Sequence, residues 1–126
     1  MKPFSNNRIN YAVALAEPKR NHEVLTIGIS NIPEIEIKLE KLVKHCTCID
    51  IDKEKLKNAK RYLNNTTLIF GDITNPKELI GKKFDTIIML EVLEHLEDDS
   101  GTLKIIHSLL KNNGKLIISV PNKNIL

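Results

Sequence analysis

Short apolar runs alternate along this 126-residue chain with longer stretches whose apolar residues recur at helical spacing. The apolar runs predict five strands, at 23–29, 46–51, 66–70, 84–90 and 115–120. Between them the pattern predicts a helix at 8–17, three later helices and a single helical turn at 76–80. The alternation predicts an α/β fold, a three-layer, doubly wound, mostly parallel sheet with right-handed crossovers.

Capping residues predict where the later helices begin and end. Pro33 suits the first turn of the second helix, and Glu34 and Glu36 favour its positive end. Asp52 is the predicted cap of the third helix, and Asp99 or Ser100 that of the fourth. The pair Asn113-Gly114 is predicted to stop the fourth helix, because glycine tolerates left-handed backbone geometry.

Composition limits the class of protein. Hydrophobic residues make up 41% and charged residues 28%, which predicts one globular domain over residues 1–126. No apolar run approaches the ~20 residues of a membrane helix, and the first residues lack a signal-peptide core, so we predict a cytoplasmic protein without a membrane partner. The net charge of +3 comes from dispersed lysines, and aromatic residues are 4%, so a nucleic-acid partner stays open without being indicated.

The two cysteines, Cys46 and Cys48, lie two residues apart in the second predicted strand. On a strand they share one face, and so close a pair rarely reaches disulfide geometry. We predict that both are buried free thiols that pack as small hydrophobic side chains.

Glycine or acidic residues stand where four of the predicted strands end: Gly28, Asp50, Asp72 and Glu91. Parallel sheets bind ligands at the carboxyl ends of their strands, where the strand order reverses. A carboxylate there costs stability unless it is solvated or has a partner. The sequence therefore predicts a ligand site at this edge of the sheet.

Two segments, FDTIIMLEVLEHLED and LLKNNGKLIISVPN, resemble the class I S-adenosylmethionine-dependent methyltransferases. The resemblance extends over residues 8–122. It implies a Rossmann-like sheet of strand order 3-2-1-4-5 that lacks the usual last two strands, and S-adenosylmethionine as the small-molecule cofactor.

The resemblance also implies roles for individual residues. Asp50 would accept hydrogen bonds from the ribose hydroxyls, with Asp52 as the alternative, and Asp72 would accept from the adenine amino group. Further cofactor-binding residues are the loop glycine, the two residues that sandwich adenine and the two that border the methionine end: Gly28, Ile51, Ile73, Leu90 and Glu91.

The loop after the first strand, VLTIGISNIP, departs from the family pattern of an acid followed by Gly-x-Gly-x-Gly. Thr26 replaces the acid, and Ser30 and Ile32 replace the later glycines. Because isoleucine resists positive φ, we expect Ile32 to change the loop or to fill part of the ligand pocket. The chain also stops soon after the fifth predicted strand, which would leave an open edge, so we expect a homodimer.

Glu91, Glu94 and His95 follow the fourth strand at positions i, i+3 and i+4, on one side of a helical turn. Such a set could hold Mg²⁺ or Mn²⁺, and similar sequences occur in methyltransferases of small-RNA ends and of quinone biosynthesis. We nevertheless predict no metal site and favour a solvated glutamate at Glu94 beside a polar His95, with metal binding as the alternative. Glu91 and His95 are also the candidate catalytic residues, with His95 as a general base.

These features favour an S-adenosylmethionine-dependent methyltransferase-like protein whose methyl acceptor the sequence does not identify. One alternative is a degenerate domain that keeps the fold and acts as a binding or assembly module. Another is a nucleic-acid methyltransferase subunit that needs a partner. These hypotheses differ in whether the altered loop from Thr26 to Ile32 still allows the cofactor to bind.

Overall fold

The computed structural model describes residues 3–90 and 96–119. Its five strands are β1 Glu23–Ile27, β2 His45–Asp50, β3 Thr66–Phe70, β4 Phe84–Leu90 and β5 Leu110–Ser119. Its helices are α1 Pro3–Ala16, α2 Glu34–Leu39, α3 Lys53–Lys60 and α4 Asp99–Ser108, with a 3-10 turn at Lys77–Leu79. Within these described ranges, no helix is long and apolar enough to cross a membrane.

The strands form one parallel sheet in the order β3-β2-β1-β4-β5. This confirms the predicted fold class and strand order. The order reverses at β1, which pairs with β2 on one side and β4 on the other. Thr26 of β1 consequently lies between Cys48 and Ile88 on the neighbouring strands. The carboxyl ends of β1, β2 and β4 thus surround the point where a doubly wound sheet forms its ligand crevice.

Both faces of the sheet are covered, which gives the three layers that the sequence predicts. On one face Leu25, Ile87 and Met89 pack with Ile106 of α4 and Leu79 of the 3-10 turn. The opposite face packs against three helices, and its buried contacts include Val24, Ile88, Ala12, Ala16, Ile35 and Leu39, with Cys48, Leu56 and Ala59 nearby. A sheet buried on both sides explains why its strands read as continuous apolar runs.

Cys46 and Cys48 are buried on the face that packs against α1, α2 and α3, and neither forms a disulfide. This confirms the prediction that both are buried free thiols. Burial raises the pKa of the Cys46 thiol to about 12 and raises the pKa of Cys48 well above its ordinary value. Both side chains therefore stay neutral at physiological pH and act as packing groups.

The structure corrects two predictions about α4. Its cap is Asp98, whose Oδ1 accepts a hydrogen bond from the Gly101 N–H at 2.9 Å, and not Asp99 or Ser100. The helix ends at Ser108, well before Asn113-Gly114, because pairing with β4 begins at Leu110.

The predicted helix stop instead lies inside a bulge of β5. Phe84 of β4 pairs with Leu110 and Thr86 pairs with Lys115, so residues 111–114 stand opposite Asp85 alone. The left-handed residue in the bulge is Asn113, with φ of 66°, rather than Gly114. Asparagine is one of the few residues besides glycine that adopts this conformation readily.

Candidate functional site

A cavity of about 600 Å³ opens at the carboxyl ends of β1, β2 and β4. This volume is within the range of small-molecule sites in proteins. The structure brings six of the seven residues predicted for cofactor binding to its walls: Gly28, Asp50, Ile51, Asp72, Ile73 and Leu90. The seventh, Glu91, lies outside the described residues. The polar groups at successive strand ends therefore border one shared space.

Gly28 turns the chain at the end of β1. Its φ is 87°, a conformation that glycine adopts without steric cost, and its N–H donates to the Ile49 carbonyl at 2.9 Å. Among the described residues of this loop, positive φ occurs at Gly28 alone. Ser30 and Ile32 therefore fit a loop of ordinary backbone geometry, although family members usually have glycine at both positions.

Ile32 belongs to the wall of the cavity rather than to the core. Its side chain is 55% exposed and lines the cavity. The structure thus brings the Ile32 side chain to the cavity, at a position where glycine would have none, and the expectation that it fills part of the ligand pocket stays a prediction.

Asp50, at the end of β2, fixes the loop that follows β1. Its Oδ2 accepts a hydrogen bond from the Ile29 N–H at 2.8 Å, and its Oδ1 accepts one from the Asp52 N–H at 2.7 Å. A carboxylate oxygen can accept two hydrogen bonds, so each oxygen keeps acceptor capacity for a ligand hydroxyl.

Asp52 has a different position and task. Its Oδ1 accepts from the N–H groups of Glu54 and Lys55, at 3.0 and 3.2 Å, and so caps α3 as predicted. Its side chain is exposed, and it is not among the described residues that line the cavity. Of the two candidate acids after β2, Asp50 is the one that borders the cavity.

Asp72 stabilises the turn after β3 and also lines the cavity. Its Oδ1 accepts from the hydroxyl and the N–H of Thr74, at 2.7 and 2.9 Å, and these bonds lower the pKa of its carboxyl. An ionised and exposed carboxylate at the cavity wall can accept a further hydrogen bond from a ligand amino group.

Two apolar side chains flank the same end of the cavity in unequal environments. Ile51 is 70% exposed, whereas Ile73 belongs to the buried core beneath the cavity. A ligand that contacts both would therefore bury Ile51 surface that is now exposed, whereas Ile73 is already buried.

Sequence reasoning did not assign four polar residues to the cavity, and Glu36 is the buried one among them; the other three are Arg8, Glu34 and Lys55. Glu36 is 4% exposed and lines the cavity beside Thr26, which is 2% exposed. Burial raises the pKa of the Glu36 carboxyl, while the Thr26 hydroxyl favours its charged form. Helical spacing could have indicated that Glu36 is buried. Glu36 stands three residues before the buried Leu39 and seven before the buried Val43, so it lies on the apolar face of this segment.

The candidate catalytic residues, Glu91 and His95, and the alternative metal-ligand set of Glu91, Glu94 and His95 lie outside the described residues. Across residues 3–90 and 96–119, no group of three histidine, cysteine or acidic residues is arranged to hold a metal ion. The catalytic role stays a prediction, and so does the expectation that no metal binds there.

A family model described as "Methyltransferase domain" matches residues 28–118, from the glycine turn after β1 to the end of β5. The chain belongs to this methyltransferase family. The match includes the ends of β2 and β4 and the residues after β3 that line the cavity, and it confirms the family predicted from the sequence.

The methyltransferase domain also resembles curated enzymes. It is 28% identical over 120 residues to a ubiquinone biosynthesis O-methyltransferase of Xanthomonas axonopodis pv. citri, covering 92% of this chain and 49% of that protein. It is 34% identical over 79 residues to the enzyme of the same name from Pelagibacter ubique, covering 61% of this chain and 33% of that protein. The chain thus spans about half or less of the length of these relatives.

Among solved structures, the domain resembles the N-methyltransferase NodS from Bradyrhizobium japonicum in complex with S-adenosyl-L-homocysteine. The TM-score is 0.81 at 23% identity, and the likeness covers 92% of this chain and 61% of NodS. At this identity, the likeness supports the shared fold.

Proposed function

We propose that this domain binds S-adenosylmethionine in the cavity at the carboxyl ends of β1, β2 and β4 and serves methyl transfer. The observation that carries the proposal is the convergence of six predicted cofactor residues, distributed over four segments of the chain, on one cavity. The family match gives independent support.

The donor set fits this cofactor. Asp50 offers carboxylate oxygens with spare acceptor capacity, which suits a pair of ribose hydroxyls. Asp72 offers an ionised carboxylate for an exocyclic amino group, and Ile51 and Ile73 offer apolar surface for a heterocycle. Gly28 brings backbone close to the ligand without a side chain.

The chain's contribution to catalysis would be orientation and exclusion of water. When bound, the cofactor supplies an electrophilic methyl group that an acceptor atom takes by direct in-line displacement. No covalent bond to the protein is needed, so Asp50 and Asp72 would act by positioning the cofactor, and Leu90 would form part of the apolar wall.

The proposal concerns the cofactor and the transfer, because the relatives differ in acceptor. By their names, the curated relatives methylate an oxygen in ubiquinone biosynthesis and NodS methylates a nitrogen. The acceptor, a homodimer, a nucleic-acid partner and a cytoplasmic location stay predictions.

Calorimetric titration of the chain with S-adenosylmethionine and S-adenosylhomocysteine tests cofactor binding. Ligand at 100 times its dissociation constant should raise the free energy of unfolding by about 2.7 kcal/mol. No heat and no thermal shift at millimolar ligand would overturn the proposal and favour the alternative, a domain that keeps the fold as a binding or assembly module.

A further inference from the structure

A carboxyl group is buried in the wall of the cavity, whose lining also includes the exposed cations Arg8 and Lys55. Glu36 of α2 is 4% exposed and lines the cavity. The influences on its carboxyl are burial, the Thr26 hydroxyl and its own backbone N–H. A buried carboxyl in this situation costs stability, so its position needs a reason beyond packing.

Its neighbour Thr26 carries a buried hydroxyl. The residue is 2% exposed, and within the described part of the chain its Oγ1 makes no hydrogen bond of acceptable distance and angle. Thr26 lies at the reversal point of the sheet, between Cys48 and Ile88, and it lines the same cavity as Glu36. The Thr26 hydroxyl therefore lies close enough to the Glu36 carboxyl to lower its pKa, but it does not form a well-aligned hydrogen bond with it.

Resting on the cofactor binding proposed above, we propose that Glu36 supplies the carboxylate that receives the ammonium group of the cofactor's amino-acid end. In this chain the acid would come from α2, because Thr26 occupies the strand position where relatives usually have one. A cationic ligand group would pair with the buried carboxylate, and the Thr26 hydroxyl could accept or donate a further hydrogen bond beside it.

The position of Glu36 within α2 supports this assignment. Ile35 and Leu39, on either side of it, are buried against the sheet and fix the rotation of the helix. Glu34, at the start of the same helix, is exposed, so the burial of Glu36 is specific to its position rather than common to the acids of α2.

The test compares two ligands on matched variants. S-adenosylhomocysteine carries the amino-acid group, and 5′-methylthioadenosine lacks it while keeping adenine, ribose and sulfur. Glu36→Gln should weaken S-adenosylhomocysteine by about 10- to 100-fold, the loss expected for a hydrogen bond to a charged group, and should leave 5′-methylthioadenosine nearly unchanged. Glu54→Gln, an exposed acid on α3 that is not a cavity residue, is the control and should alter neither affinity.

The outcomes separate this inference from the proposed function. If the unaltered chain binds neither ligand, the proposed function fails and this inference with it. If it binds both ligands and Glu36→Gln binds S-adenosylhomocysteine equally well, or weakens both ligands to the same extent, the assignment of Glu36 is wrong and the proposed function stands.

A second variant guards against misfolding of Glu36→Gln. Glu36→Asp keeps the charge and withdraws it by one methylene, so it should weaken S-adenosylhomocysteine selectively and by less than Glu36→Gln does. Equal affinity of Glu36→Asp and the unaltered chain for S-adenosylhomocysteine, with Glu36→Gln unfolded, would also overturn the assignment.

Discussion

The Asp50 carboxylate links the ends of two neighbouring strands, because its Oδ2 accepts a hydrogen bond from the Ile29 N–H at 2.8 Å. Ile29 belongs to the loop after β1, and Asp50 is the last residue of β2. The acid that we propose as a ligand for the ribose therefore also holds the altered loop in place. If the proposal holds, cofactor binding and the order of this loop both depend on the Asp50 side chain.

Asp50→Asn should lower both stability and cofactor affinity. An amide retains one acceptor oxygen, so one of the two backbone N–H groups at 2.7 and 2.8 Å loses its partner, at a cost of about 1–3 kcal/mol. Asp52→Asn is the matched control, since asparagine also caps helices well and should leave both quantities nearly unchanged. Urea unfolding and calorimetry measure the two effects. A larger loss of affinity in Asp52→Asn would show that the ribose acid is Asp52.

Gly28→Ala should combine a backbone penalty with weaker cofactor binding. At φ of 87° an alanine is strained, by about 1–2 kcal/mol for a left-handed residue. Gly81→Ala is the control, because Gly81 has φ of 82° and an added Cβ there meets nothing within 4 Å. Both variants should lose similar stability in urea, and Gly28→Ala alone should lose affinity for S-adenosylhomocysteine. Equal affinities in the two variants would place the loop backbone away from the ligand.

Much of the sheet could be predicted because its strands are apolar runs with abrupt polar ends. The bounds of β3 and β4 agree with the prediction, and Asp52 caps α3 as expected. The start of β5 could not be predicted, because Leu110 continues the helical spacing of α4 while its backbone pairs with Phe84. That choice depends on a neighbouring strand distant in sequence, which local periodicity does not register.

The candidate site divides in the same way. Strand-end residues such as Asp50 and Asp72 are predictable, since parallel topology brings successive strand ends to one edge. Glu36 was assigned to the helix dipole, because a glutamate in a first turn is ordinarily solvated. Its burial follows from the rotation of α2 over the sheet. That rotation is set by the packing of Ile35 and Leu39 against the sheet, which the local sequence pattern does not contain.

Asp98→Ala should destabilise the domain by about 1 kcal/mol, the usual loss on removing a helix cap. Asp98, Asp99 and Ser100 are all residue types that favour cap positions, so the sequence does not distinguish them. The 2.9 Å hydrogen bond from the Gly101 N–H to Asp98 Oδ1 identifies Asp98 as the cap. Ser100→Ala is the control and should change the free energy of unfolding little. A larger loss in Ser100→Ala than in Asp98→Ala would restore the cap predicted from the sequence.

Glu36→Gln should stabilise the ligand-free domain at pH 8 and not at pH 4. Burial raises the pKa of Glu36 above its ordinary 4.5, so the folded state binds its proton more tightly than the unfolded state does. The stability that this provides is complete below pH 4.5 and is lost as the pH rises through the folded-state pKa. Each tenfold difference in proton affinity between the folded and unfolded states corresponds to a loss of about 1.4 kcal/mol. Glutamine does not ionise, so the Glu36→Gln domain does not lose this stability as the pH rises.

Urea unfolding of the variant and the unaltered chain at both pH values measures this difference, with Glu34→Gln as the control from the same helix. Glu34 is exposed, so its neutralisation should change stability little at either pH. If Glu36→Gln were instead less stable than the unaltered chain at pH 8, the carboxylate would have a stabilising partner in the folded domain. It would then not be available for the ammonium group of a ligand.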